Sequence, residues 1–170
     1  MGILSGKRGI IFGALDENSI AWKVALEAKK EGAIFTLSNA PVALRLGTIN
    51  ELATLCQSVV IPADATNTDD LDKLFDQSIA ELGGKIDFIL HSIGMSPNVR
   101  KEKPYTNLNY DFYLKSLDIS ALSLHKILQV AYQKDAINEY GSVVALSYIA
   151  AQRAFPFYGD MAEAKAALES

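Results

Sequence analysis

Apolar residues recur along the chain in two rhythms. Short, nearly unbroken apolar runs at Arg8 to Phe12, Ala33 to Ser38, Ser58 to Ile61, Ile86 to Leu90 and Gly141 to Leu146 predict buried strands. Between them the period lengthens. Ala21, Val24, Ala25 and Ala28 recur at helical spacing after Ser19, a candidate N-cap, and before Gly32, a candidate stop. Further helical patterns cover Asp69 to Leu82 and a long segment from Leu108 to Lys134, and Pro156 suits the first turn of a last helix. Strands alternating with helices imply right-handed crossovers. The pattern therefore predicts an α/β fold, a doubly wound parallel sheet with helices on both faces, formed by residues 1–170 as a single domain.

Open sheets of this kind bind ligands beyond the carboxyl ends of their strands, so the residues just after each strand carry the candidate chemistry. Gly13 permits close backbone approach to a phosphate, and the amides around Ser19 and Ile20 open a helix toward an anion. Asp64, with Ala65 beside it, can accept from an exocyclic amine. Ser92, Ile93 and Gly94 offer backbone amides and a flat apolar wall. Each has a plainer alternative: Gly13 as a turn glycine outside any G-x-G-x-x-G pattern, Asp64 as a turn cap. His91 and His125 read as packed or hydrogen-bonded structural residues, and Trp22 as packing.

The last stretch adds a phenol and an ammonium. Tyr158 and Lys165 are separated by about two helical turns, roughly 10 Å of rise, so on one helix they share a face. A neutral phenol can donate a hydrogen bond to a carbonyl oxygen that gains charge as hydride reaches a conjugated carbon. The lysine can hold a ribose; the plainer alternative is a helix-end aromatic and a solvated charge. Tyr148, just after the fifth strand, brings a second phenol to the same strand end.

Charge and composition narrow the partners. A net charge of −4 with scattered lysines and arginines gives no footprint for nucleic acid. No apolar run approaches bilayer length, so no membrane role is expected. Two histidines and one cysteine, Cys56, at wide spacings supply no metal cluster, and a lone cysteine forms no intrachain disulfide, so a cytoplasmic setting is expected.

Leu4-Ser-Gly-Lys-Arg8, Gly13 with Ser19-Ile20-Ala21, Asp64, His91-Ser92-Ile93-Gly94, Asp118-Ile119-Ser120, Leu146-Ser147-Tyr148 with Arg153-Ala154, and Tyr158 with Lys165 together resemble the enoyl-(acyl-carrier-protein) reductases of bacterial fatty-acid synthesis. These form a branch of the short-chain dehydrogenase/reductase superfamily, and the likeness is to Bacteroidetes-type versions. Six residues stand between Tyr158 and Lys165, where ordinary members of the superfamily have three; four before Lys165 stands Met161. The resemblance implies a Rossmann-like fold and reduction of the trans-2 double bond of an enoyl thioester on acyl carrier protein. It implies Tyr148, Tyr158 and Lys165 as catalytic groups, and Gly13, Ser19, Ile20, Asp64, Ala65, Ser92, Ile93, Gly94 and Lys165 as cofactor contacts. Met95 falls on the substrate side, and assembly is as a homotetramer.

NADH is the cofactor implied. Asn39-Ala40-Pro41 after the second strand brings no carboxylate and Arg45 follows, so NADPH is also compatible. The acids of the Leu15-Asp16-Glu17-Asn18 loop must face away from a pyrophosphate. The resemblance further implies C-terminal strands and a substrate loop that the chain lacks, so these 170 residues alone are expected to bind cofactor poorly and to turn over slowly or not at all. Two other readings use the same residues: a 3-oxoacyl or ketone reductase of the superfamily, and a non-catalytic dinucleotide-binding module.

Overall fold

The computed structural model describes residues 2–170. In chain order it runs β1 (Arg8–Phe12), α1 (Ile20–Lys30), β2 (Ile34–Ser38), α2 (Pro41–Leu44), α3 (Ile49–Cys56), β3 (Val59–Val60), α4 (Thr68–Leu82) and β4 (Ile86–His91). There follow α5 (Pro97–Arg100), α6 (Tyr110–Leu117), a π-helical turn (Asp118–Leu122), α7 (Ser123–Gln133), β5 (Ile137–Ala145) and α8 (Gly159–Glu169). All pairings are parallel, in the order β3-β2-β1-β4-β5. The chain moves outward from β1 through β2 to β3 and then returns to β1's other side at β4. The crevice over β1 and β4 is therefore where strand order reverses.

Alternation along β1 divides the core between the two faces. Ile10 and Phe12 pack with Leu71, Leu74 and Phe75 of α4 and Ile127 and Val130 of α7. Ile11 points the other way, with Ala21, Ala25 and Ala28 of α1 and Leu52 of α3. Burial of each large side chain favours folding by roughly 1.5–3 kcal/mol. Small alanines let α1 lie close to the sheet, and Trp22 is buried among them.

Four local departures from the sequence pattern have physical causes. β5 begins at Ile137, before the apolar run, and its register against β4 shifts between the Ile86 and Phe88 pairings, around Tyr140 at φ 61°. The helical pattern from Leu108 to Lys134 starts at Tyr110, capped by Asn109, whose Oδ1 accepts from Phe112 N at 2.9 Å, and contains the π-helical turn. α2 and α3 occupy a stretch where no element is expected. Pro156 lies outside α8: with Phe157 at φ 59° and Tyr158 N donating to Phe155 O at 3.4 Å, it makes a turn before the helix. No helix among the described residues is long and apolar enough to cross a membrane.

Candidate active site

β1 ends at Gly13, whose φ of +89° suits glycine, and a Cβ there would overlap the Ser92 carbonyl oxygen. Gly13 thus closes the β1 turn directly against the turn after β4, with its N–H donating to Ser38 O at 2.9 Å. Ser92, Ile93 and Gly94 form one side of an open cleft of about 270 Å³, and Leu146, Ser147, Tyr148, Tyr158, Met161 and Lys165 complete it.

The phenol and ammonium converge there, with a correction to the expected path. Tyr158 is not in the helix: it is the N-cap residue of α8, at φ −119°, and its carbonyl accepts the first helical bond from Ala162 N at 2.8 Å. The phenol leaves from the edge of the turn that Pro156 makes, while Lys165 leaves from the helix body. The ring centroids of Tyr148 and Tyr158 lie 5.1 Å apart, tilted at 49°. Burial, and then the neighbouring Tyr148, push the Tyr158 phenol up, so it stays protonated.

Lys165 is 7% exposed. Its Nζ donates to Leu146 O at 2.7 Å and to Ile93 O at 3.0 Å, bridging the ends of β5 and β4, and an ammonium keeps a third N–H. Burial pushes this ammonium down to about 8. Met161, one turn earlier on α8, lines the same cleft; its i, i+4 relation to Lys165 was the available signal.

Other expected contacts lie along the same rim without lining this cleft. Ser19 stands at the N-cap of α1, yet its hydroxyl does not cap the helix: Oγ donates to Asp16 O at 2.7 Å and accepts from Leu15 N at 3.3 Å, holding the loop. Ile20 is 61% exposed at the start of α1, whose first turn carries no acid. Asp16 Oδ1 accepts from Asn18 N at 2.9 Å, so that side chain is turned into its own loop. Asp64 does act as a turn cap, its Oδ1 accepting from Thr66 N at 2.9 Å and Thr66 Oγ1 at 2.7 Å, and Ala65 is buried behind it. Met95 is anchored through its backbone, its N–H donating to Ser120 Oγ at 3.0 Å in the π-helical turn. Asp64 after β3 and Tyr148 after β5 are four strand positions apart, roughly 19 Å, the span of an extended ligand across the rim.

His91, the last residue of β4, is fully buried with Nε2 paired to Ser123 Oγ at 2.8 Å, a structural histidine as expected; His125 is instead exposed on α7. Burial, and then the Lys165 charge, push His91 down to about 4, so it is neutral near pH 7.

A parallel sheet whose strand order reverses between β1 and β4, with a cleft at the carboxyl ends of β4 and β5, defines a protein of the Rossmann-like class. Residues 13–170 match the family described as enoyl-(acyl carrier protein) reductase. Enoyl-(acyl-carrier-protein) reductase (NADH) FabI of Rickettsia bellii is 34% identical over 171 residues, 99% of this chain and 63% of that protein. The FabI–NADH complex from Alistipes finegoldii superposes with a TM-score of 0.95 at 60% identity, covering 98% of this chain and 59% of that one. The NAD complex of the Anaplasma phagocytophilum reductase gives 0.88 at 28% identity, covering 99% and 64%. The chain belongs to the enoyl-(acyl carrier protein) reductase family, and it spans 63% of the length of the Rickettsia relative.

Proposed function

We propose that residues 1–170 form one domain carrying the cofactor site and catalytic groups of an NADH-dependent reductase, acting on the trans-2 double bond of an enoyl thioester on acyl carrier protein. The observation that carries this reading is the convergence of Tyr148, Tyr158 and Lys165 on the Ser92–Gly94 turn, in a chain whose relatives are named NADH-dependent enoyl reductases. The residues present fit the dinucleotide. Gly94 is open enough that the nearest atoms a Cβ would meet belong to the Lys165 and Met161 side chains, at 3.6–3.7 Å, leaving a flat surface. The acid-free first turn of α1 presents Ile20 toward a pyrophosphate, while Ser19, its N–H and Oγ both bonded to Asp16 O, shapes the loop before it, and Asp64 and Ala65 stand at the adenine end.

NADH, when bound, supplies the hydride that the substrate β-carbon accepts. Tyr158 Oη, neutral and partly buried, donates a hydrogen bond to the thioester oxygen as that oxygen gains charge, which lowers the barrier because the contact strengthens along the reaction. Tyr148 walls the same space. Lys165 Nζ keeps its two carbonyl bonds and offers its third N–H to a ribose hydroxyl, its charge strengthening the neighbouring phenol as a donor. Solvent returns a proton to the α-carbon. Homotetramer assembly belongs to the same reading, supported by Tyr110, Leu114 and Leu122, whose apolar side chains are exposed along α6 and the π-helical turn. So does a reducing, cytoplasmic setting, supported by the free, buried Cys56.

The test is oxidation of NADH on crotonyl thioester, with acetoacetyl thioester and NADPH in parallel, in this chain and in a form extended to its relatives' length. Turnover in the extended form on crotonyl thioester with NADH is expected. Tyr158→Phe should lower kcat about 100-fold and leave the NADH affinity within about twofold. Turnover only on acetoacetyl thioester, or cofactor binding with no oxidation on either, overturns the reading.

A further inference from the structure

Asp160 follows Tyr158 by two residues, in the first turn of α8, and is 2% exposed. No cationic side chain among the described residues pairs with it. Its carboxylate is met by three neutral donors. Ser96 Oγ lies 2.9 Å from both oxygens, while Asn98 Nδ2 at 3.0 Å and Ser116 Oγ at 2.7 Å reach Oδ2. Taking a carboxylate out of water is costly, and an apolar side chain would fill the same space without that cost. What the carboxylate adds is a fixed geometry among the elements that donate to it.

Those elements are the two sides of the cleft. Ser96 and Asn98 come directly after the Ser92–Met95 turn; Ser96 Oγ also accepts from Val99 N at 3.0 Å, opening α5. Asn98 exchanges two bonds of 3.0 Å with the backbone of Asn109, the residue that caps α6, and Ser116 lies on α6 itself. On the other side, the Tyr158 carbonyl is bonded to Ala162 N, so the backbone that carries the phenol moves with the start of α8. We propose that Asp160 is a positioning residue: it clamps the start of α8 to α5 and α6, and so sets the distance between the Tyr158 phenol and the Ile93–Met95 turn. The role of the phenol itself rests on the function proposed above.

Reacting groups displaced by about 1 Å can lose about 100-fold in rate, so in the extended form Asp160→Ala should lower kcat by about that factor while the KM for NADH stays within about threefold. Asp160→Asn, which keeps an acceptor in place, should recover most of the loss. Ser78→Ala is the control: it removes a buried hydrogen bond to Thr36 Oγ1, 2.8 Å long, remote from the cleft, and should lower the Tm without lowering kcat beyond about twofold. Should Asp160→Ala not fold, Ser116→Ala removes one donor and is expected to give a smaller fall in kcat of the same kind. A crystal structure of Asp160→Ala, or of Ser116→Ala where that variant does not fold, should show the phenol displaced by more than about 0.5 Å, the tolerance of a preorganised site, while Asp160→Asn holds it in place. A phenol that stays in place in the alanine variant, unchanged turnover in Asp160→Ala, or an equal kcat loss in Ser78→Ala at matched Tm overturns the proposal. If the unmodified protein oxidises no NADH, the proposed function fails, while the displacement of the phenol still decides whether Asp160 positions it.

Discussion

The two walls of the cleft are built in different ways. The β1–β4 wall is main chain: Gly13 pressed on the Ser92 carbonyl, and the Ser92–Gly94 turn, both set on strands whose inner residues are buried on both faces. The β5–α8 wall is side chain: Tyr148 follows a strand whose Val144 is 54% exposed, Tyr158 leaves the edge of a turn with Phe157 at φ 59°, and Lys165 projects from α8. The first wall is held by steric exclusion in a packed sheet and is indifferent to most side-chain chemistry. Each phenol of the second depends on the few contacts that place it. Lys165 bonds to both, through Ile93 O and Leu146 O.

Acid should break the first wall. His91 ends β4 beneath it, and its folded-state value of about 4 lies below the 6.5 of an unfolded histidine. Between those values the unfolded chain binds more protons, so stability falls as pH drops from about 6.5 toward 4. The shift corresponds to about 3 kcal/mol. Urea unfolding at pH 7 and pH 4 measures the loss. His91→Gln, which does not titrate, should flatten that window if the histidine is the cause.

Lys165 tests the link between the walls. Lys165→Met should weaken NADH binding roughly 10- to 100-fold, the usual worth of a hydrogen bond from a charged donor, as read by fluorescence titration. The pH dependence has two opposite signs. Because burial holds the ammonium at about 8 when folded against 10.5 unfolded, stability should rise as pH goes from 8 to 10.5, the unfolded chain there binding more protons. NADH affinity should fall over the same rise, since the donor is being lost. Affinity and stability that rise together above pH 8 would count against the ammonium as a ribose contact.

How much of this was legible in the sequence follows from the same contrast. β1, β2 and β4 are apolar runs ended by turn residues, and the main-chain wall follows from Gly13 and the Ser92–Gly94 turn at their ends. The spacing of Tyr158 and Lys165 fitted a shared helix face and equally a helix-end aromatic with a solvated charge, and the turn at Pro156 places Tyr158 before the helix rather than in it. The first residues of β5 were not, because Asn138, Glu139 and Tyr140 are polar or exposed and carry no strand pattern. The hydroxyl of Ser19 sits where a cap belongs and bonds backward into its loop instead, a choice that depends on loop geometry. Asp160 gave no signal at all. An acid in the first turn of a helix is ordinarily solvated, and its donors lie 44–64 residues away in sequence.

Within the main-chain wall, Gly13 and Gly94 separate steric need from ligand need. Gly13→Ala must adopt φ +89° and push the Ser92 carbonyl aside, so it should destabilise the fold by about 2 kcal/mol, seen as a lowered urea midpoint.

Gly94→Ala is the smallest expected change and the sharpest probe of the proposed cofactor surface. A Cβ at Gly94 would meet Lys165 Cε and Nζ at 3.6 Å and Met161 Cε at 3.7 Å, all ordinary contacts, and its φ lies outside the left-handed region. Stability should therefore change by less than about 0.5 kcal/mol. The added methyl projects toward the Lys165 and Met161 side chains that line the cleft and removes the flat surface at the turn, so NADH binding should weaken while the urea midpoint holds. Weakened binding with an unmoved midpoint sharpens the contrast with Gly13; unchanged binding would mean that the ring lies elsewhere along the rim.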